Sequence, residues 1–102
     1  MMVDLELNDL RREFLDEARE KVVEMQSALE SATLESLERV TYLAHQLKGS
    51  GGSYGYQRIS TESAALESAL EKHGNGAEAD PLIQQYVVNL RAEIDRCARE
   101  LS

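Results

Sequence analysis

Leu7, Leu10, Phe14, Ala18, Val22, Met25 and Leu29 recur at steps of three and four residues, with charged residues between them. That spacing places all seven on one face of a helix. It predicts a first helix from about Asn8 to Glu30, with Asn8 or Asp9 as its cap. Arg11, Arg12, Glu13, Asp16, Glu17, Arg19, Glu20 and Lys21 make up a solvated face with internal ion pairs. A short break follows at Ser31 to Thr33, where Thr33 with Ser36 nearby reads as a new helix start. The second segment sets Leu34, Leu37, Val40, Ala44 and Leu47 on one face.

A third segment begins after Gly55 and runs to about Lys72. Ile59, Ser63, Leu66 and Leu70 form a thin stripe, widened by Ala64, Ala65 and Ala69. Small residues of this kind let another helix come close. "HGNGAEADP", residues 73–81, is a stop and a restart. Gly74 suits a left-handed helix end, Asp80 a cap, and Pro81 the first turn of the next helix. In the fourth segment Ile83, Val87, Leu90, Ile94, Cys97 and Leu101 alternate four- and three-residue steps, as on the seam of a bundle helix. No strand pattern competes. No helix can bury its stripe alone, and short connections make sequential helices antiparallel neighbours. The expected fold is all-α, an antiparallel up-down four-helix bundle spanning 1–102 as a single domain.

Composition narrows the function classes. A chain of 102 residues with 42% apolar residues can bury a core of its own. Its net charge of -8 argues against nucleic acid and against an anionic membrane surface, both of which call for concentrated Lys and Arg. A protein partner with a basic or mixed surface fits better. Cys97 is the single cysteine, so neither an internal disulfide nor a cysteine metal cluster can form. Met1 to Leu10 shows no basic start followed by an apolar run, and the apolar runs are too short to span a bilayer. The expectation is a cytoplasmic protein that acts as a monomer.

The chemistry concentrates in "AHQLKGSGGSYGY", residues 44–56. On a helical wheel His45 points roughly 120° away from the direction set by Leu37, Val40, Ala44, Leu47 and Gly51. It should be open to solvent. Lys48 and Gly49 lie one turn further on, Thr41 and Tyr42 one turn before, and Gly52 two turns along. Each glycine inside a helix costs about 1 kcal/mol relative to alanine. Such a cluster makes sense where bulk beside the imidazole would block a partner. A neutral imidazole nitrogen can attack phosphorus, and an ammonium one turn away would stabilise the resulting charge. The plainer readings are an inert surface histidine, an ordinary glycine helix end and a flexible Gly-Gly-Ser loop, with Tyr54 and Tyr56 as core residues at the bend. His73, at the expected end of the third helix, suits a favourable encounter with the helix dipole rather than chemistry.

"AHQLKGSGGSYG" closely resembles the signature of histidine-containing phosphotransfer (HPt) domains: His, any residue, Leu-Lys-Gly, then small residues and a later Gly. "FLDEAREKVVEMQSALE" resembles the family's first bundle helix. "ESAALESAL" resembles its third, with the Leu66-Glu67 pair typical there. The resemblance implies that His45 is the phosphoacceptor and that Lys48 helps hold the phosphoryl group. Gly49 and Gly52 would leave room for the partner's active site, Gly55 would mark the turn, and Leu47 would anchor the reactive turn in the core. Gly51 and Gly52 together put the end of the second helix in doubt.

The implied function is a phosphorelay intermediate of two-component signalling, a phosphocarrier without kinase activity of its own. Its partners would be response-regulator receiver domains and an upstream hybrid sensor kinase. It would need no cofactor, the expected Mg²⁺ belonging to the receiver. Docking is expected around His45, on Thr41 and Tyr42 and on Leu10, Arg11 and Phe14 of the first helix, although Leu10 and Phe14 suit the core equally. No Walker A run or dinucleotide glycine fingerprint is present. The rival reading is a helical adaptor or dimerisation module without chemistry. A sensor-kinase phosphoacceptor domain fits less well, since Gln46 stands where an acidic residue or Asn is normal.

Overall fold

Four apolar stripes become four helices. The computed structural model describes residues 4–31, 33–73 and 81–101. Within them lie α1 (Asp4–Ser31), α2 (Leu34–Ser53), α3 (Gln57–His73) and α4 (Pro81–Leu101), with no strand among the described residues. The sequence pattern predicts Asn8 or Asp9 as the cap of α1, but neither caps it. The helix starts earlier, because the residues before them are good helix formers that carry it on. Thr33 does cap α2. Its hydroxyl accepts from the Ser36 N–H at 3.0 Å, and the Ser36 hydroxyl accepts from the Thr33 N–H at 2.9 Å. Pro81 opens α4 as expected, while Gly74 and Asp80 lie outside the described residues.

The direction of packing follows from which residues meet. Arg11 reaches the Tyr54 carbonyl while Glu24 pairs with Arg39, so α1 and α2 run in opposite directions. Gly51 approaches Ile59 while His45 meets Glu67, which reverses α3 against α2. Arg19 meets Asp95 while Arg91 meets Gln26, which reverses α4 against α1. The helices close into an antiparallel ring in which each packs on its sequence neighbour and α4 returns to α1.

Leu15, Met25, Leu43, Leu47, Ile59, Leu66, Leu90 and Ile94 are fully buried along the axis. Several assignments from the pattern change: Leu10 of the α1 stripe is exposed and Leu15 is buried in its place, and α2 shows the same exchange. Leu34 is 63% exposed, because it sits roughly 120° around the helix from Val40. Leu43 is buried instead, about 60° from Val40 on the other side. Near the α3–α4 seam, Glu93 is buried and kept ionised chiefly by its hydrogen bonds from Arg96. The Cys97 thiol donates to it, and burial pushes that thiol up to about 11, so it stays protonated and unreactive.

The glycine-rich stretch is helix followed by a defined turn, not a loose loop. α2 continues through Ser53. Gly55 then takes a φ of 86°, the left-handed conformation that glycine adopts without penalty. Its N–H bonds the Gly52 carbonyl at 3.2 Å, and the Tyr56 N–H bonds the Gly51 carbonyl at 2.8 Å, completing a Schellman cap. Tyr54 and Tyr56 both stack on Phe14, so this turn is tied to the start of α1.

The glycines therefore differ in purpose. A Cβ on Gly51 would stand 3.1 Å from both the Ile59 side chain and the Ser60 backbone nitrogen. On Gly49 it would meet nothing within 4 Å. Gly51→Ala should lower stability by about 1–3 kcal/mol through overpacking. Gly49→Ala should raise it by about 0.5–1 kcal/mol by favouring the helix. Denaturant titration followed by far-UV circular dichroism measures both, and the two changes should have opposite signs.

Candidate functional site

The flank of α2 that carries His45 faces away from the core, and the imidazole is 63% exposed. Opposite it, α3 presents Glu67, whose side chain is only 14% exposed. α3 is drawn close to α2 at Gly51, and the Ser60 hydroxyl donates to the Lys48 carbonyl at 2.8 Å. From that anchor Glu67 lies two turns further along α3, level with His45 and Lys48. One carboxylate oxygen is 2.9 Å from His45 Nδ1, and the other accepts from Lys48 Nζ at 2.8 Å.

This bridge settles which imidazole nitrogen is free. The Lys48 ammonium, and after it His45, holds the Glu67 carboxyl below the usual carboxylate range despite partial burial. Glu67 is therefore ionised near neutral pH and can only accept hydrogen bonds. Nδ1 must carry the proton in that contact. In the neutral ring Nε2 is then left with its lone pair, and nothing among the described residues bonds to it. An exposed, unprotonated nitrogen beside a fixed ammonium suits attack on an electrophile that brings negative charge.

The sequence model of the Hpt domain matches residues 9–100. The chain belongs to the Hpt domain family. That membership implies histidine phosphotransfer within two-component phosphorelays. No curated protein and no solved structure gives a significant match.

Around His45 this Hpt domain places the remaining residues unevenly. Gly49 is exposed with open space beside it, whereas Gly52 faces Ser60 on α3. Tyr42 is half exposed. Its ring lies under the Arg39 guanidinium, and its hydroxyl accepts from Gln46 at 2.8 Å. Thr41 is partly buried and its hydroxyl bonds back to the Leu37 carbonyl. On α1, Leu10 remains at the surface, and Arg11 is half-buried against the Tyr54 carbonyl and the Tyr56 ring. Phe14 is core and not docking surface: it is 5% exposed and stacked on two tyrosines. A shallow groove between α1 and α2 runs past His45 and Gly49. Among the described residues no group of three or more His, Cys, Asp or Glu could hold a metal ion. None of their helices is long and apolar enough to cross a membrane.

Glu67 is the site residue that sequence reasoning left without a role. It falls next to Leu66 on an apolar stripe, where a carboxylate either points outward or finds a partner on a neighbouring helix. Only the register of α3 against α2 decides this. Glu67→Ala should release the imidazole from its fixed tautomer. Nitrogen-detected NMR of the His45 ring should show Nδ1–H dominant in the wild-type protein and that preference lost in the variant.

Proposed function

We propose that His45 is the phosphoacceptor of this Hpt domain and that it exchanges phosphoryl groups with aspartates of receiver domains. The observation that carries this reading is the Glu67 bridge, which holds Nδ1 and Lys48 together and leaves Nε2 without a bonded partner among the described residues on an imidazole that is 63% exposed. The Nε2 lone pair attacks the phosphorus of an aspartyl phosphate on a docked receiver. The N–P bond forms, the P–O bond to the aspartyl oxygen breaks, and the aspartate leaves as a carboxylate. The proton on Nδ1 stays in place, so the phosphorylated ring is cationic and faces the Glu67 carboxylate. Lys48 has further N–H donors beyond the one bound by Glu67, and these are available to phosphoryl oxygens. Transfer of this kind depends on in-line positioning and charge neutralisation. The reverse sequence passes the group to another receiver.

On this reading the Mg²⁺ belongs to the receiver, an upstream hybrid sensor kinase supplies the phosphoryl group through its own receiver, and the domain works in the cytoplasm as a monomer. It does not phosphorylate itself from ATP, consistent with a sequence that carries no Walker A run.

The test is transfer of label from a panel of phosphorylated receiver domains with Mg²⁺. Wild type should take up acid-labile, alkali-stable label, and His45→Gln should take up none while keeping its helical content. Lys48→Ala should slow transfer about tenfold or more, by loss of a charge that meets the phosphoryl group. Equal labelling of wild type and His45→Gln would assign the chemistry to another residue. No label on folded wild type with any receiver would favour an adaptor without chemistry.

A further inference from the structure

Lys48 has a counterpart on the other side of His45. Lys21 on α1 lines the α1–α2 groove together with His45, Gln46 and Gly49. The two lysines are held differently. Lys48 is tied to Glu67. Lys21 has no ion pair or hydrogen bond among the described residues, and Glu24, one turn along α1, pairs with Arg39 instead. Its side chain is partly buried, so the stem packs along the groove while the head stays free to find a partner. An uncommitted ammonium at the acceptor histidine is a local exception in a chain of net charge -8.

We infer that Lys21 is a positioning residue for docking, whose ammonium pairs with a carboxylate of the incoming aspartyl-phosphate domain. This rests on the phosphotransfer reading above. A domain that holds a divalent cation beside a phosphorylated aspartate must offer further carboxylates to bind that cation. Its phosphorylation face is therefore acidic, and Lys21 meets it at the edge of the contact. Lys48, fixed one turn from His45, is the ammonium placed for the phosphoryl group itself. Lys21 acts instead on association, through charge steering that salt weakens.

The experiment measures transfer from phosphorylated receiver domains with Mg²⁺ to wild type, Lys21→Met, Lys21→Glu and Lys21→Arg, each at low and high ionic strength. Lys21→Met should raise KM about two- to fivefold at low salt. Lys21→Glu should raise it further, and Lys21→Arg should restore it. kcat should hold throughout, and the differences should shrink at high salt. A fall in kcat with unchanged KM would place Lys21 on the phosphoryl group and overturn the docking role. Unchanged KM in the methionine and glutamate variants, with wild type labelled normally, overturns this inference alone. Failure of wild type to accept label overturns it together with the phosphotransfer reading.

Discussion

Glu67 binds two groups that would otherwise be independent. One oxygen fixes the Nδ1–H of His45 and the other fixes the Lys48 ammonium. A surface imidazole on its own would share its proton between two nitrogens and sample several rotamers. The carboxylate removes both freedoms, and the imidazole is still 63% exposed. On the proposed reading the carboxylate would also balance the positive charge of a phosphorylated ring. Its partial burial matters here, because a charge screened by less water acts more strongly on its neighbours.

The rest of the fold serves to hold α3 at the height where Glu67 meets His45. Gly51 gives α3 its close approach, and Ser60 ties α3 to the Lys48 carbonyl. The Schellman cap at Gly55 fixes how the chain leaves α2, and Phe14 clamps both tyrosines of that turn. A stretch that looks flexible by composition is thus among the most constrained parts of the bundle. The small residues that make α2 a poor helix in isolation allow a packed helix pair here. Gly49 has open space beside it, so no contact within the bundle accounts for its missing side chain.

The α1 stripe from Phe14 onward, the α4 stripe, the cap at Thr33 and the turn at Gly55 were legible in the chain because each depends on residues within a few positions. The outward direction of His45 was legible too, since a wheel needs only one helix. Leu34 and Leu43 exchanged places because a list of three- and four-residue steps drifts around the helix, whereas burial follows the mean direction. Glu67 and Lys21 could not be assigned from one strand of text. Their positions depend on the vertical register between helices, which is set by contacts such as Gly51 with Ile59 that lie far from either residue. Phe14 suited core and surface equally until the two tyrosines were seen to stack on it.

On the proposed reading Glu67 leaves Nε2 as the nitrogen that takes phosphorus. The most direct measurement is the position of the phosphoryl group on His45 after transfer from a receiver, read by phosphorus–nitrogen and proton–nitrogen NMR of the labelled ring. The bridge predicts phosphorylation on Nε2, with Nδ1 still protonated. Phosphorus on Nδ1 would mean that the contact with Glu67 is broken in the reacting protein, and the account of the site would fail with it.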